Sequence, residues 1–354
     1  MKKSLIALAV IAASSTAMAQ SSVTLYGLVD MYVGSIKTDN GTTSIRQTKV
    51  ESGLVNTSRF GLKGSEDLGN GLAANFVLEQ GIAADEGTSK ATTLLTSKVT
   101  NTAFGRQAGV GLSGSFGATR IGLTPTPFDD VSGQYDAVFD SALSPMNSVF
   151  ASANSYLVRP GNTVAYYTPN LDGFTASASY SLGENKAAAT TTPAAPAHNA
   201  GSVYSLALAY AKGPIGVSLG YQDEKTDSTV IARKYTRLGG SYDFGVVKAY
   251  ANYGRAENYE FTAKTTVSGA KATDYQIGVD VPVGAALTLS ASYAQSKDNA
   301  TAGNDKRKGF GLGAKYALSK RTAVYGGYEA DDSKVSGATT LKHDLFAVGV
   351  QHRF

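Results

Sequence analysis

The sequence predicts an all-β fold: a single 16-stranded antiparallel transmembrane β-barrel with an inward-folded third loop. Three observations predict it. Apolar and polar residues alternate with period two along the chain, short turns alternate with long polar stretches, and a secretory leader precedes a chain without an apolar helix long enough to span a bilayer.

The leader comes first. Met1-Lys2-Lys3 is a short basic region, Leu5 to Ala13 are wholly apolar, and Ala17-Met18-Ala19 supplies the small-x-small pattern that signal peptidase reads. The expected organisation is a cleaved signal peptide at 1–19, followed by one barrel domain at 20–354 beginning at Gln20. Loss of Lys2 and Lys3 lowers the formal charge from +4 to +2. With no dense Lys/Arg patch interleaved with aromatics, no nucleic-acid partner is expected. The 354 residues contain no cysteine, which excludes a disulfide-stapled scaffold, a thiolate metal site and a cysteine nucleophile. With 39 Gly, 20 Tyr and 13 Phe but only 9 Pro, the composition suits strands that are half lipid-facing and half wet.

The strands follow in order. Val23, Leu25, Gly27, Val29, Met31 and Val33 share one face, and Thr24, Tyr26, Leu28, Asp30 and Tyr32 the other. The same alternation sets Phe174, Ala176, Ala178 and Tyr180 against Thr175, Ser177 and Ser179. It recurs at Tyr204 to Tyr210, Val247 to Tyr253, Phe310 to Leu318, and Phe346 to the terminal Phe354. One face is Ala, Val and Leu with aromatics toward the ends, as a lipid face with aromatic girdles requires. Arg59, Lys63, Arg237, Lys248 and Lys315 all fall on the polar register. A Lys or Arg on the lipid face at the midplane would cost roughly 2–4 kcal/mol.

The connections give the strand number. Seven are short, at 66–71, 114–118, 169–173, 213–214, 243–245, 282–285 and 319–321. Eight are long and polar, near 35–56, 83–101, 124–160, 183–202, 223–233, 256–273, 297–307 and 331–341. Together they join 16 strands and place both termini on one side.

Several segments, in order, carry a family resemblance. They are Val23-Thr24-Leu25-Tyr26-Gly27-Leu28-Val29-Asp30, Ser58-Arg59-Phe60-Gly61-Leu62-Lys63-Gly64-Ser65-Glu66-Asp67-Leu68-Gly69, Arg106-Gln107-Ala108, Val164-Ala165-Tyr166-Tyr167-Thr168-Pro169, Leu318-Ser319-Lys320-Arg321-Thr322 and Gly349-Val350-Gln351-His352-Arg353-Phe354. Over essentially its whole mature length the chain resembles the general porins of neisserial and betaproteobacterial type. Where the family ending reads Gly-x-Arg-His-x-Phe this chain has Gln351, a departure expected to weaken one wall contact without threatening the fold. The resemblance implies a homotrimer in the Gram-negative outer membrane, among outer-membrane lipid and lipopolysaccharide, passing ions and small hydrophilic solutes passively and often favouring anions. It also implies that Phe354 is a C-terminal assembly signal read by the barrel-assembly machinery. A substrate-selective channel of the same fold, with saturable transport, is the alternative.

Neither an enzyme nor a cofactor is expected. His198, His343 and His352 lie near no serine in a nucleophile motif, and an adhesin would need longer loops. Gly109-Val110-Gly111-Leu112-Ser113-Gly114 matches a dinucleotide fingerprint literally, but it lies in an alternating strand with no helix after it. Asp331 and Asp332 beside Glu329 read as a solvated acidic external loop, since their spacing is not a calcium motif.

The third long stretch, Thr124 to Pro160, is the longest and mixes aromatic with acidic residues, a composition suited to packing against a barrel wall. Its Asp129, Asp130, Asp136 and Asp140 form the expected constriction loop. Arg59, Arg106, Arg120 and Arg159 form the expected constriction wall. The resemblance aligns Arg59 and Arg159 with pore-wall arginines. Parity alone supports Arg120, whereas parity puts Arg106 on the outer register, so that only strand curvature or a loop position turns it inward. Opposed rows of charge across a narrow passage create a transverse field that sets ion preference.

Overall fold

The computed structural model describes residues 22–90, 92–93, 99–100, 103–153, 156–183, 201–225, 232–259, 269–298, 306–334 and 340–354. The expected leader, its cleavage site and His198 lie outside them. Sixteen antiparallel strands form one closed barrel. They are β1 Ser22–Asp39, β2 in two pieces (Ser44–Ser52 and Arg59–Gly69), β3 Leu72–Ala83, β4 Gln107–Gly114, β5 Gly117–Leu123 and β6 Thr163–Tyr167. Next come β7 Phe174–Ser181, β8 Val203–Lys212, β9 Ile215–Lys225, β10 Ala232–Asp243 and β11 Lys248–Glu257. The last five are β12 Lys271–Val283, β13 Leu287–Asp298, β14 Lys306–Ala317, β15 Thr322–Lys334 and β16 Leu341–Arg353. Each strand pairs with the next, and β1 closes on β16 from Leu28↔Arg353 to Asp39↔Lys342. Among the described residues every barrel strand has a partner on both sides, the condition for crossing a bilayer with strands.

The wall is inside-out relative to a water-soluble protein. Leu206 and Leu208 on β8, Ile277 on β12 and Leu312 on β14 are exposed, whereas Ser205, Gln222, Arg237, Asn252 and Gln276 are buried. Aromatic pairs mark both rims of the outer face: Phe174–Tyr210 and Tyr242–Phe244 beside short turns, Tyr180–Tyr204 and Phe310–Tyr328 nearer the long connections. The β2–β3 turn places Asn70 (φ 53°) and Gly71 (φ 75°) in left-handed conformation, the backbone a tight hairpin demands.

Two of the sequence expectations need correction. The stretch near 35–56, expected as a loop, is mostly sheet: β1 runs to Asp39 and the first piece of β2 returns along it, from Asp39↔Ser44 to Met31↔Ser52. Polar residues continue the ladder there because it rises where lipid no longer penalises them. The break in β2 then folds around Asp30, which is wholly buried. The Asp30 carbonyl accepts from Gly53 N at 2.8 Å, and its carboxylate accepts from Asn56 N at 3.0 Å, Gln351 Nε2 at 2.9 Å and the Tyr325 hydroxyl. The wall contact at Gln351 is therefore made. Likewise Asp331 and Asp332 lie within β15, not in a loop beyond it.

Candidate functional site

The connection from β5 to β6 holds two short helices, α1 Pro127–Ser132 and α2 Pro145–Val149, separated by a 3₁₀ turn at Val138–Asp140. The sequence writes both helix starts. Thr126 and Ser144 cap the helices by accepting from Asp129 N and Met146 N, each at 3.2 Å, and Pro127 and Pro145 occupy the first turn. The 3₁₀ turn is strained: Val138, Phe139 and Asp140 have φ of 61°, 68° and 48°. Left-handed backbone costs roughly 1–2 kcal/mol per non-glycine residue. Tertiary contacts hold it, with Val138 N donating to Ser290 Oγ on β13 at 2.7 Å and Ser141 Oγ donating to Val138 O at 2.6 Å.

Polar-register side chains of the wall grip this segment along its length. Phe128 N donates to Ser205 Oγ on β8 at 2.9 Å, and Asn252 Nδ2 on β11 donates to Tyr135 O at 2.8 Å. Asp274 on β12 accepts from Ala151 N at 3.2 Å and Ser152 N at 2.9 Å. Arg237 on β10, 1% exposed, donates to Ser132 O and Ser152 Oγ at 3.0 Å each and lies 5.0 Å from the Phe150 ring centre. Glycines of the same register make room: a Cβ on Gly216 would lie 2.6 Å from the Tyr135 hydroxyl, and one on Gly220 2.9 Å from Val131. Parity alone identified Arg237 as a wall cation and put Asn252 on the polar register, but it did not mark Asp274 or Gln276. Their polar identity on the inner register was the available signal, but nothing local says which inner residues a distant segment will cover.

The four named arginines gather at the other side of the segment. Glu79 on β3 receives Arg106 Nε at 2.7 Å on one oxygen, and Arg59 Nε at 3.5 Å and the Tyr26 hydroxyl at 3.0 Å on the other. Arg106 escapes its outward parity because it precedes β4, its backbone N donating to Glu79 O at 3.1 Å. Arg159 Nη2 lies 3.8 Å from Asp129 Oδ2, whose partner oxygen accepts from the Tyr156 hydroxyl at 2.7 Å. Arg120 Nη1 donates to Gln107 Oε1 at 3.0 Å, and its guanidinium lies 6.0 Å from the Tyr167 ring centre. The aspartates divide. Asp129 and the exposed Asp130 lie on the arginine side, Asp140 is exposed beside α2, and Asp136 is buried against β12.

Asp136 Oδ1 accepts from Ser144 Oγ at 2.6 Å and Gln276 Nε2 at 2.5 Å. Burial, then the nearby Asp140 carboxylate, push its carboxyl up to about 8. An aspartate in an unfolded chain titrates near ~3.9. Between these values the folded chain keeps a proton that the unfolded chain has released, so stability falls as pH rises through this window and levels off above it. Asp136→Asn, which supplies the neutral group at every pH, is expected to flatten this dependence and raise the melting temperature above pH 8 relative to wild type. Parallel melting curves for the two proteins across the window would refute the assignment.

Taken together, a closed wall with an apolar exterior and a polar, arginine-bearing interior defines an outer-membrane channel. A family model described as Gram-negative porin matches residues 5–336, and the chain belongs to that family. It is 36% identical over 360 residues to outer membrane porin protein 32 of Delftia acidovorans, covering 99% of this chain and 95% of that one. It is 28% identical to the major outer membrane protein P.IB of Neisseria meningitidis serogroup B, over the full length of both. Among solved structures, an anion-selective porin from Comamonas acidovorans matches with a TM-score of 0.76 and 29% identity, covering 95% of this chain and 100% of that one. The protein is thus a general diffusion channel of the outer membrane, and not an enzyme.

Proposed function

We propose that the Thr124–Pro160 loop folds into the lumen and that solutes pass between it and the wall bearing Arg59, Arg106, Arg120 and Arg159, with a modest preference for anions. One observation supports the reading: four arginines gather about Glu79, Asp129 and Asp130, and among the described residues they outnumber the acids they interact with there. Asp136, its carboxyl pushed up to about 8 by burial, is mostly protonated at neutral pH and subtracts little. A charge beside a low-dielectric constriction acts more strongly than one in a wide vestibule, where physiological salt screens it over about 8 Å.

The mature protein is read as a homotrimer, on the resemblance and on the small outer-face residues Ala176, Ala178, Ala249 and Ala251 that let barrels approach. Phe354, whose backbone bonds reciprocally with Gly27 at 3.1 and 3.2 Å, is read as the signal for the barrel-assembly machinery. The lipid-facing rim is assigned to outer-membrane lipid and lipopolysaccharide. Planar-bilayer recording in a KCl gradient tests the main proposal, together with solute flux into liposomes. The expected result is a reversal potential on the anion side and flux linear in solute concentration. Cation selectivity would overturn the charge assignment, and saturating flux would favour the substrate-selective channel.

A further inference from the structure

Near the loop-side ends of β15 and β16, three side chains from the polar register meet away from the arginines. Asp331 and His343 are directly opposed in the ladder, and Glu329 lies two residues from Asp331 on the same face. His343 Nδ1 lies 3.4 Å from Glu329 Oε2 and 3.4 Å from Asp331 Oδ2, and donor atoms of the three residues all fall within 4.8 Å of one another. Charge-assisted hydrogen bonds between such groups close to about 2.7–2.9 Å. The edge of a tetrahedron with bonds of about 2.0–2.2 Å is instead roughly 3.3–3.6 Å, the spacing of ligands around zinc.

Two further observations bear on the site. Ser148 Oγ, on α2, donates to Glu329 Oε1 at 2.7 Å, fixing that carboxylate and leaving Oε2 turned toward the histidine. Such outer-shell hydrogen bonds orient metal ligands. On β14 the residues opposite Glu329 and Asp331 are Gly311 and Gly309, so no side chain from that strand competes for the space. Glu329 is buried while His343 and Asp331 remain partly accessible, which leaves a fourth position open to water.

We propose that Glu329, Asp331 and His343 bind one divalent transition metal ion of the zinc class per chain. The imidazole selects against calcium and magnesium, which take oxygen ligands in larger number. The ion fixes β15 and β16 to α2 through Glu329 and adds positive charge to the passage away from the arginine cluster.

The test is metal binding by the intact protein in detergent after chelation, with Zn²⁺ by calorimetry and Co²⁺ by absorption spectroscopy. The expected result is one Zn²⁺ per chain and a Co²⁺ spectrum with the intense visible bands of a four-coordinate ion. His343→Ala and Asp331→Asn should each weaken binding about tenfold or more, since even outer-shell losses reach that size. Asp332→Asn should leave it unchanged, because Asp332 points to the other face toward Lys308, 3.9 Å away. Absence of saturable Zn²⁺ binding would overturn the proposal. So would binding that His343→Ala leaves intact, or a Co²⁺ spectrum typical of six oxygen ligands.

Discussion

Replacing Arg59 and Arg159 together with serine is expected to turn the channel from anion-preferring to cation-preferring. Wild type sets four arginines against Glu79, Asp129 and Asp130. The double variant leaves Arg106 and Arg120 against the same three acids, so the net sign of this cluster reverses. Glu79 keeps its 2.7 Å pair with Arg106 and loses Arg59, while Asp129 loses the only cation paired with it among the described residues. Each deleted charge acts on anion and cation in opposite directions. At a few ångströms and an effective dielectric between protein and water, a shift of about tenfold in the permeability ratio is expected. Conductance should also rise slightly as two long side chains give way to short ones. The effect should fade near 1 M salt, where screening acts within about 3 Å. An unchanged reversal potential and conductance would mean that these arginines do not line the passage.

Arg237→Ala is expected to loosen the β5–β6 segment without changing selectivity. One guanidinium reaches three separated positions in that segment: Ser132 O and Ser152 Oγ at 3.0 Å each, and Met146 Sδ at 3.3 Å. Removing it strands buried acceptors and opens a cavity beneath Phe150, a loss of about 3–5 kcal/mol for a buried polar anchor. The melting temperature should fall and open-channel noise should rise as the segment samples other positions. The reversal potential should stay put, because a side chain 1% exposed does not face passing ions. Arg237→Met, which restores apolar volume but no donor, should recover part of the stability and little of the quiet. If Arg237→Ala shifts the reversal potential as strongly as the arginine double variant, Arg237 belongs to the conducting path and the anchoring role fails.

The barrel was legible because its determinants are local. A residue's face follows from its parity, so Leu206 and Leu208 outside and Ser205 and Gln222 inside could be read from adjacent residues. Strand number followed from counting turns, as at Asn70-Gly71, whose chemistry is likewise local. Polarity misled at 35–56 and at Asp331–Asp332, where the ladder continues and polar side chains no longer signal a loop.

What the tertiary structure alone decided is which inner-register residues join the arginine cluster and which are covered by the β5–β6 segment. Arg59 and Arg237 look alike in sequence, each an arginine on the polar register of a strand. One shares Glu79 in the cluster of four arginines, while the other is sealed under Ser132 and Ser152, residues 105 and 85 positions away in the chain. Asp129 and Asp136 separate in the same way: one pairs with Arg159, and the other is buried against Gln276, 140 positions distant. Period-two patterning fixes the direction of a side chain but carries no information about a partner so remote. That partner is set by the path of the β5–β6 segment across the wall, which depends on many weak contacts made at once and on glycines such as Gly216 and Gly220 that leave it room.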